Sequence, residues 1–320
     1  VFADRAEFAV EVDPRGLDGE RIDALAEAGL TRVSIGVQDF DPGVQAAINR
    51  IQTVEETRRV VDAFRDQGVR SLNIDAMYGL PGQHERQLMR TLDEVVKLEP
   101  DRIALFGYAH VPWMKRHQSM IDESTLPGVV DRHAHAELAA KHLMSAGYER
   151  IGIDHFALPH DPMAVAARSG QLARNFQGYT VDDANGLIGL GASSIGRLPQ
   201  GFVQNATAIA EYERRTRAGG LAVVRGVSLT LDDVLRSHVI ERLMCDLAFD
   251  GRALKKRFGT AADPLIAEAA ALAASDADGL TEPTPAGFVI TERGRPFART
   301  VAARFDAYLR RSEARHSLAV

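Results

Sequence analysis

The stretch Ser71–Gln83, SLNIDAMYGLPGQ, decides how the rest of the chain is read. An apolar run carries one acid, Asp75, and then breaks on Gly79, Pro81 and Gly82. The same plan recurs on both sides: a short apolar strand with polar residues at its end, then a helical pattern. Glu7–Pro14 brings Glu11 and Asp13, and Arg32–Asp39 brings Gln38 and Asp39. Arg102–His110 brings Tyr108 and His110, and Arg150–His155 brings Asp154 and His155. Polar groups gathered at the ends of successive parallel strands are how a β/α barrel builds one pocket.

The segments between these strands have helical periods and helix stops. Asp18 precedes a helix to Ala28 that Gly29 ends. Asp41 caps a short helix that opens on Pro42. Val54–Gln67 is amphipathic, with Val54, Val61 and Phe64 on one face and Gly68 behind it. Glu85–Leu98 and Asp131–Ala146 complete the series. Helices between largely apolar strands predict parallel strands with right-handed crossovers. Only about five β/α units are visible in the 320 residues, so a closed eight-unit barrel does not fit.

Beyond Leu158 the pattern changes. Pro159 to about Gly226 is irregular and holds RNFQGYT (Arg174–Thr180) and the glycine-rich GLIGLGASSIG (Gly186–Gly196). The latter is not GxGxxG and follows no clear strand, so it does not predict a dinucleotide fold. From Thr230 a capped helix runs through Leu247, two helical patterns follow, and a hairpin is expected around Gly287–Thr291. An Ala-rich exposed helix is expected over Ala261–Ala277 and a last helix over Pro296–Arg311. Helices with a small hairpin suggest a winged-helix-like module. Its balance of 13 Lys/Arg against 13 Asp/Glu from Leu229 onward argues against a DNA-reading role. The division expected is 1–158, 159–228 and 229–320.

Composition is that of an ordinary globular protein, with 45% hydrophobic and 26% charged residues. A net charge of −6 gives no reason to expect nucleic acid or an anionic membrane. No window approaches the ~18 apolar residues of a membrane span. The single cysteine, Cys245, excludes an internal disulfide, agrees with a reducing cytoplasm, and cannot by itself hold an iron–sulfur cluster. In VIERLMCDL it reads as a small buried hydrophobe. The histidines show no HExxH or comparable metal-ligand spacing, and no GxSxG nucleophile motif is present.

Each candidate residue has a structural alternative. Asp75, inside an apolar strand, must be paired, solvated in a pocket or neutral. Glu11 suits ribose hydroxyls or an amine, but an ion pair with Arg15 or Arg32 accounts for it equally well. Gln38 offers both donors and an acceptor to a polar ligand, and Arg50 could clamp a carboxylate. Alone, each is as easily a solvated surface residue.

Taken together, EVDPRG, GVQDFDPGVQAAINR, NIDAMYGLPGQ, FGYAHVP, GIDHFALP, RNFQGYT and GLGASSI resemble the oxygen-independent coproporphyrinogen III oxidases, which are radical S-adenosylmethionine enzymes. The resemblance covers Glu11 to near the C-terminus. It implies an α/β fold, an incomplete (β/α)6 radical-SAM barrel with its first strands missing, followed by a mostly helical C-terminal domain. The family's CxxxCxxC motif, which binds a [4Fe–4S] cluster, is absent here and is expected upstream of Val1, so this segment alone is expected to be inactive. Glu11, Gln38, Arg50 and Asp75 match residues that contact S-adenosylmethionine. Ala109 matches a backbone contact to it, and Ile195 a contact near a second such molecule. No catalytic residue and no metal ligand is carried over.

The implied reaction is anaerobic oxidative decarboxylation of coproporphyrinogen III to protoporphyrinogen IX in haem synthesis. Reductive cleavage of S-adenosylmethionine gives a 5′-deoxyadenosyl radical that takes a hydrogen from a propionate. Loss of CO₂ and an electron leaves a vinyl group. An electron donor such as a flavodoxin or ferredoxin, a monomer, and a cytoplasmic location are expected. Haem chaperones of the same superfamily are the alternative. They carry an HN..YW run where this chain has RNFQGYT, which favours the oxidase. A generic barrel lyase using Glu11 and Asp75, and a winged-helix DNA binder, stand further off.

Overall fold

Alternation of apolar and polar residues decides the main sheet. The computed structural model describes residues 6–182 and 184–309. They form two compact units: residues up to Gln171 with Arg295–Arg299, and Leu172–Gly294 with the residues from Thr300.

In the first unit the order is β1 (Ala9–Val12), α1 (Gly19–Glu27), β2 (Arg32–Gln38), α2 (Pro42–Ala47), α3 (Val54–Asp66), β3 (Ser71–Tyr78), α4 (Glu85–Lys97), β4 (Arg102–Gly107), α5 (Val129–Ser145), β5 (Glu149–Ile151), β6 (His155–Ala157) and α6 (Pro162–Arg168). The helix starts follow the local chemistry. Asp18, Asp41 and Thr53 each accept from backbone N–H groups of the first turn, and Pro42 sits at the first helical position. α5 starts at Val129, two residues before the expected Asp131, because Gly128 takes the N-cap position.

The six strands lie in the order β1-β2-β3-β4-β6-β5. β1 to β4 are parallel, as the intervening helices require. The fifth expected parallel strand is instead a hairpin. Ile151 ends β5, Gly152 takes a positive φ of 56°, and the chain reverses, so that β6 pairs antiparallel with both β5 and β4. Asp154 and His155 therefore stand on a turn and a returning strand, not at the end of a parallel one. Along β2 and β3, alternate residues are buried. Val33, Ile35, Val37, Leu72, Ile74 and Ala76 pack with Val60, Val61, Phe64, Leu88, Leu92 and Leu143 of α3, α4 and α5.

The second unit holds β7 (Ala173–Arg174), β8 (Tyr179–Thr180), β9 (Ile195–Leu198), β10 (Gly201–Asn205), α7 (Ile209–Arg217), β11 (Val223–Ser228), α8 (Leu231–Cys245), β12 (Ala248–Asp250), α9 (Gly251–Phe258), α10 (Asp263–Ala274), β13 (Thr281–Thr284) and β14 (Gly287–Ile290). α11 (Ala298–Ala303) follows. The stretch expected to be irregular contains an antiparallel sheet, β11-β10-β9, and a hairpin of β7 with β8. Thr230 and Asp233 cap α8 reciprocally. The hairpin expected near Gly287 is present as β13–β14 and gains β12 as a third strand.

Phe249 of β12 stacks on Phe288 and Phe305 at ring-centroid distances of 5.6 and 5.9 Å. The Ala-rich helix is not simply exposed: Leu265 and Ala269 of α10 are buried. The expected last helix is shorter. Arg295–Phe297 form a 3₁₀ turn, since Pro296 cannot donate within a longer helix, and α11 ends at Ala303. Arg310 and Arg311 of that expected helix lie outside the described residues. No helix among the described residues is long and apolar enough to cross a membrane.

Candidate functional site

A parallel sheet usually has apolar residues on both faces, because helices cover both. Here one face of the sheet is polar. Strand register aligns Glu11, Ser34, Asn73 and Arg102 at one level, and Gly36, Asp75, Ala104 and His155 at the next. The opposite face carries the apolar set that packs under the helices. One side of these strands therefore forms the core and the other carries the polar groups.

Asp75 lies at the centre of the polar face. Its Oδ1 accepts from Asn73 Nδ2 at 2.7 Å and its Oδ2 from Ser34 Oγ at 3.2 Å. Asn73 Nδ2 also donates to Ser34 Oγ at 2.7 Å. Burial pushes the Asp75 carboxyl above the usual carboxylate range. The Asn73 and Ser34 donors and His155 oppose that rise, and the neighbouring Glu11 adds to it. Glu11 is not tied up by either arginine weighed against it. Arg15 pairs with Asp13 at 2.7 Å and Arg32 with Glu7 at 2.7 Å.

Arg50 follows α2 and folds back over β2. It donates to the Gly36 carbonyl at 2.8 Å and pairs with Asp13 at 3.0 Å. Its Nε is buried with no partner among the described residues. Burial lowers the guanidinium pKa, while hydrogen bonding to Arg15, assisted by Arg50, holds Asp13 low. A Cβ on Gly36 would stand 3.1 Å from Arg50 Nη2 and 3.2 Å from Gln38 Nε2, so a glycine is what lets these two groups converge. Gln38 itself has φ = 69°, at a bulge where β2 slips against β3. A non-glycine residue in this region is strained, and such strain gathers at functional positions.

Asp39, the neighbouring strand-end acid, points inward. It is 1% exposed and accepts from Gln83 Nε2 at 2.6 Å, Thr91 Oγ1 at 3.0 Å and the Asp41 N–H at 2.5 Å. Gln83 also donates to the Met77 carbonyl and accepts from the Gly79 N–H. The GLPGQ turn is thus stapled to the ends of β2 and β3 and to α4.

Ala109 lies two residues past the end of β4 and is exposed. Gln118 clasps the backbone around it: Nε2 donates to the Ala109 carbonyl at 3.0 Å, and Oε1 accepts from the Val111 N–H at 2.6 Å. His110 lies between the Tyr108 hydroxyl at 3.2 Å and Glu123 at 3.1 Å. Ile195 stands on β9 in the second unit, opposite Gln204.

The structure thus gathers Glu11, Gln38 and Asp75 of β1 to β3, with Arg50 from the segment after α2, on the polar face of the sheet. Sequence reading overlooked Ser34, Asn73 and Gln118. The first two carried a signal, since Asn73 shares the i, i+2 face of Asp75 and Ser34 interrupts the apolar middle of β2. Gln118 sits in a loop and carried none.

The radical SAM superfamily model matches residues 2–95, and the HemN C-terminal domain model matches residues 229–297. An oxygen-independent coproporphyrinogen III oxidase of Cereibacter sphaeroides is 48% identical over 318 residues, 99% of this chain and 70% of that protein. The chain belongs to the oxygen-independent coproporphyrinogen III oxidases. A relative of the same description from Paracoccus denitrificans is 47% identical over 96% of this chain and 68% of its own length. The solved structure described as "Coproporphyrinogen III oxidase (HemN) from Escherichia coli is a Radical SAM enzyme" superposes with a TM-score of 0.89 at 36% identity. It covers 95% of this chain and 70% of that one. The radical-SAM fold with a helical C-terminal domain is therefore shared.

Radical SAM coproporphyrinogen oxidases use S-adenosylmethionine and a [4Fe–4S] cluster. The polar face fits the first. It presents a carboxylate with ordered donors, a second acid, an amide, and a guanidinium with an unpartnered buried nitrogen. The residues do not supply the second. Burial pushes the Cys245 thiol up to about 12, and among the described residues no group of three or more His, Cys, Asp or Glu gathers. The cluster's thiolates are not in this sequence, which has one cysteine.

Proposed function

We propose that this chain is the adenosyl-binding and macrocycle-facing part of an enzyme that converts coproporphyrinogen III to protoporphyrinogen IX by oxidative decarboxylation of two propionates. The observation that carries the reading is the polar face on an otherwise apolar parallel sheet. Glu11 and Asp75 would accept from the ribose hydroxyls and the amine of S-adenosylmethionine. Arg50 and the Ala109 backbone would hold its carboxylate, and Gln38 would supply donor and acceptor together. When bound, S-adenosylmethionine supplies the hydrogen-abstracting 5′-deoxyadenosyl group. The chain's own part is to orient that ligand and exclude water around it.

Finer features belong to the same proposal. The sheet is taken as an incomplete (β/α)6 barrel, 1–158, followed by a connecting segment, 159–228, and a winged-helix-like module, 229–320. Ile195 would lie near a second S-adenosylmethionine. The polypeptide by itself would not turn over, for want of cluster thiolates. Electrons would come from a flavodoxin or ferredoxin to a monomer in the cytoplasm.

The test is S-adenosylmethionine binding to the cluster-loaded enzyme that carries this sequence, with Glu11→Gln, Asp75→Asn and Arg50→Ala. Each is expected to weaken affinity about tenfold or more, the range for losing a hydrogen bond to a charged group. Unchanged affinity in all three overturns the assignment.

A further inference from the structure

Three side chains on the polar face form a closed ring with no spare direction. Asn73 Nδ2 has two hydrogens. One goes to Ser34 Oγ at 2.7 Å and one to Asp75 Oδ1 at 2.7 Å. Ser34 Oγ, accepting from Asn73, turns its own hydrogen to Asp75 Oδ2 at 3.2 Å. Reversing the amide would set its oxygen against the carboxylate oxygen, so the orientation is unique. A carboxylate has about four acceptor sites. Asn73 and Ser34 each fill one, on different oxygens, so each oxygen keeps capacity for one more donor. Two such acceptors side by side match a pair of vicinal hydroxyls or a single ammonium group.

We propose that Asn73, acting with Ser34, is a positioning residue that holds the Asp75 carboxylate to receive two donors from the adenosyl ligand. This rests on the reading of Asp75 as a ligand contact. The ring lies opposite the hydrophobic cluster, so the core does not need it. It bridges β2 and β3 at their polar face only.

The charged surroundings set the direction of the test. Glu11 on β1 opposes ionisation of Asp75, while His155 on β6 and Arg50 after α2 favour it. Removing a ring donor tips this balance toward the protonated acid, which cannot accept two donors. Ligand affinity should then fall away at a higher pH as acid is added.

The experiment measures S-adenosylmethionine affinity by equilibrium dialysis between pH 5 and 8, in the cluster-loaded enzyme. The variants are Asn73→Ala, Ser34→Ala, Ser34→Thr and Asp75→Asn. The expected result has three parts. Asn73→Ala binds roughly tenfold more weakly at neutral pH, the range for losing a hydrogen bond to a charged group. The acid limb moves to higher pH in Asn73→Ala and Ser34→Ala but stays in place in Ser34→Thr. In Asp75→Asn the limb disappears. If Asp75→Asn is weak while Asn73→Ala and Ser34→Ala keep the parent's acid limb, the positioning role is overturned and the ligand contact stands. If Asp75→Asn binds as the parent does, both fall.

Discussion

Replacing Gln83 with alanine removes a side chain that satisfies four groups at once. These are Asp39 Oδ2 at 2.6 Å, the Met77 carbonyl at 2.9 Å, the Gly79 N–H at 2.7 Å and the Leu80 N–H at 3.4 Å. Both Asp39 and Gln83 are 1% exposed. A buried polar group left without its partner costs roughly 1–3 kcal/mol. Water entering the vacated space would recover part of that for some of the four, so the net loss is set at about 3 kcal/mol. For a unit of this size each kcal/mol lowers the melting temperature by about 2–4 °C, so the first unit should melt roughly 6–12 °C lower.

Gln83→Glu separates the donor role from the acceptor role. It keeps an oxygen for the Gly79 N–H but sets a second carboxyl against Asp39, whose own pKa burial already raises. The pair then has a folded pKa above its unfolded value. Its stabilising contribution is complete below the unfolded value and is lost as pH rises through the folded one. Gln83→Glu should therefore approach the parent in acid and fall behind it toward neutral pH. Scanning calorimetry gives the transition, and hydrogen exchange at β2 and β3 assigns it to this unit. A Gln83→Ala melt within about 2 °C of the parent, at most about 1 kcal/mol on that scale, would refute the staple.

Three other outcomes follow from the packing. Gly107→Ala would set a Cβ 2.9 Å from the Tyr78 hydroxyl and 3.0 Å from its Cζ; a loss of about 1–3 kcal/mol is expected by denaturant titration, and an unchanged midpoint would contradict the close approach. Arg102→Met would strip Asp161 of a buried partner at 2.7 Å, costing roughly 3–5 kcal/mol, and adding Asp161→Asn should restore part of it; strict additivity would argue against the pair. Cys245, with its thiol pushed up to about 12 by burial in α8, should react with an aromatic disulfide far more slowly in the native chain than after unfolding, and a fast stoichiometric native reaction would disprove that burial.

Much of this protein was legible from local pattern alone. The helix starts at Asp18, Asp41 and Thr230 follow from one side chain meeting nearby backbone N–H groups, a relation confined to four residues. β2 and β3 show in their apolar alternation because burial on one face repeats every second residue. Two of the runs that carry the family resemblance, GVQDFDPGVQAAINR and NIDAMYGLPGQ, overlap β2, α2 and β3.

What the order of residues did not disclose depends on pairings across long separations. RIGIDH looks like one more parallel strand, and only its pairing with β4 shows that Gly152 turns the chain back. Asp39 and Gln38 are neighbours, yet one is sealed against Gln83, 44 residues on, and the other bulges beside Arg50. Local sequence specifies strands, helices and caps through short-range hydrogen bonding and periodic burial. Which acid becomes a staple and which stands on the polar face was decided only by strand register, because register determines the partners each carboxylate meets.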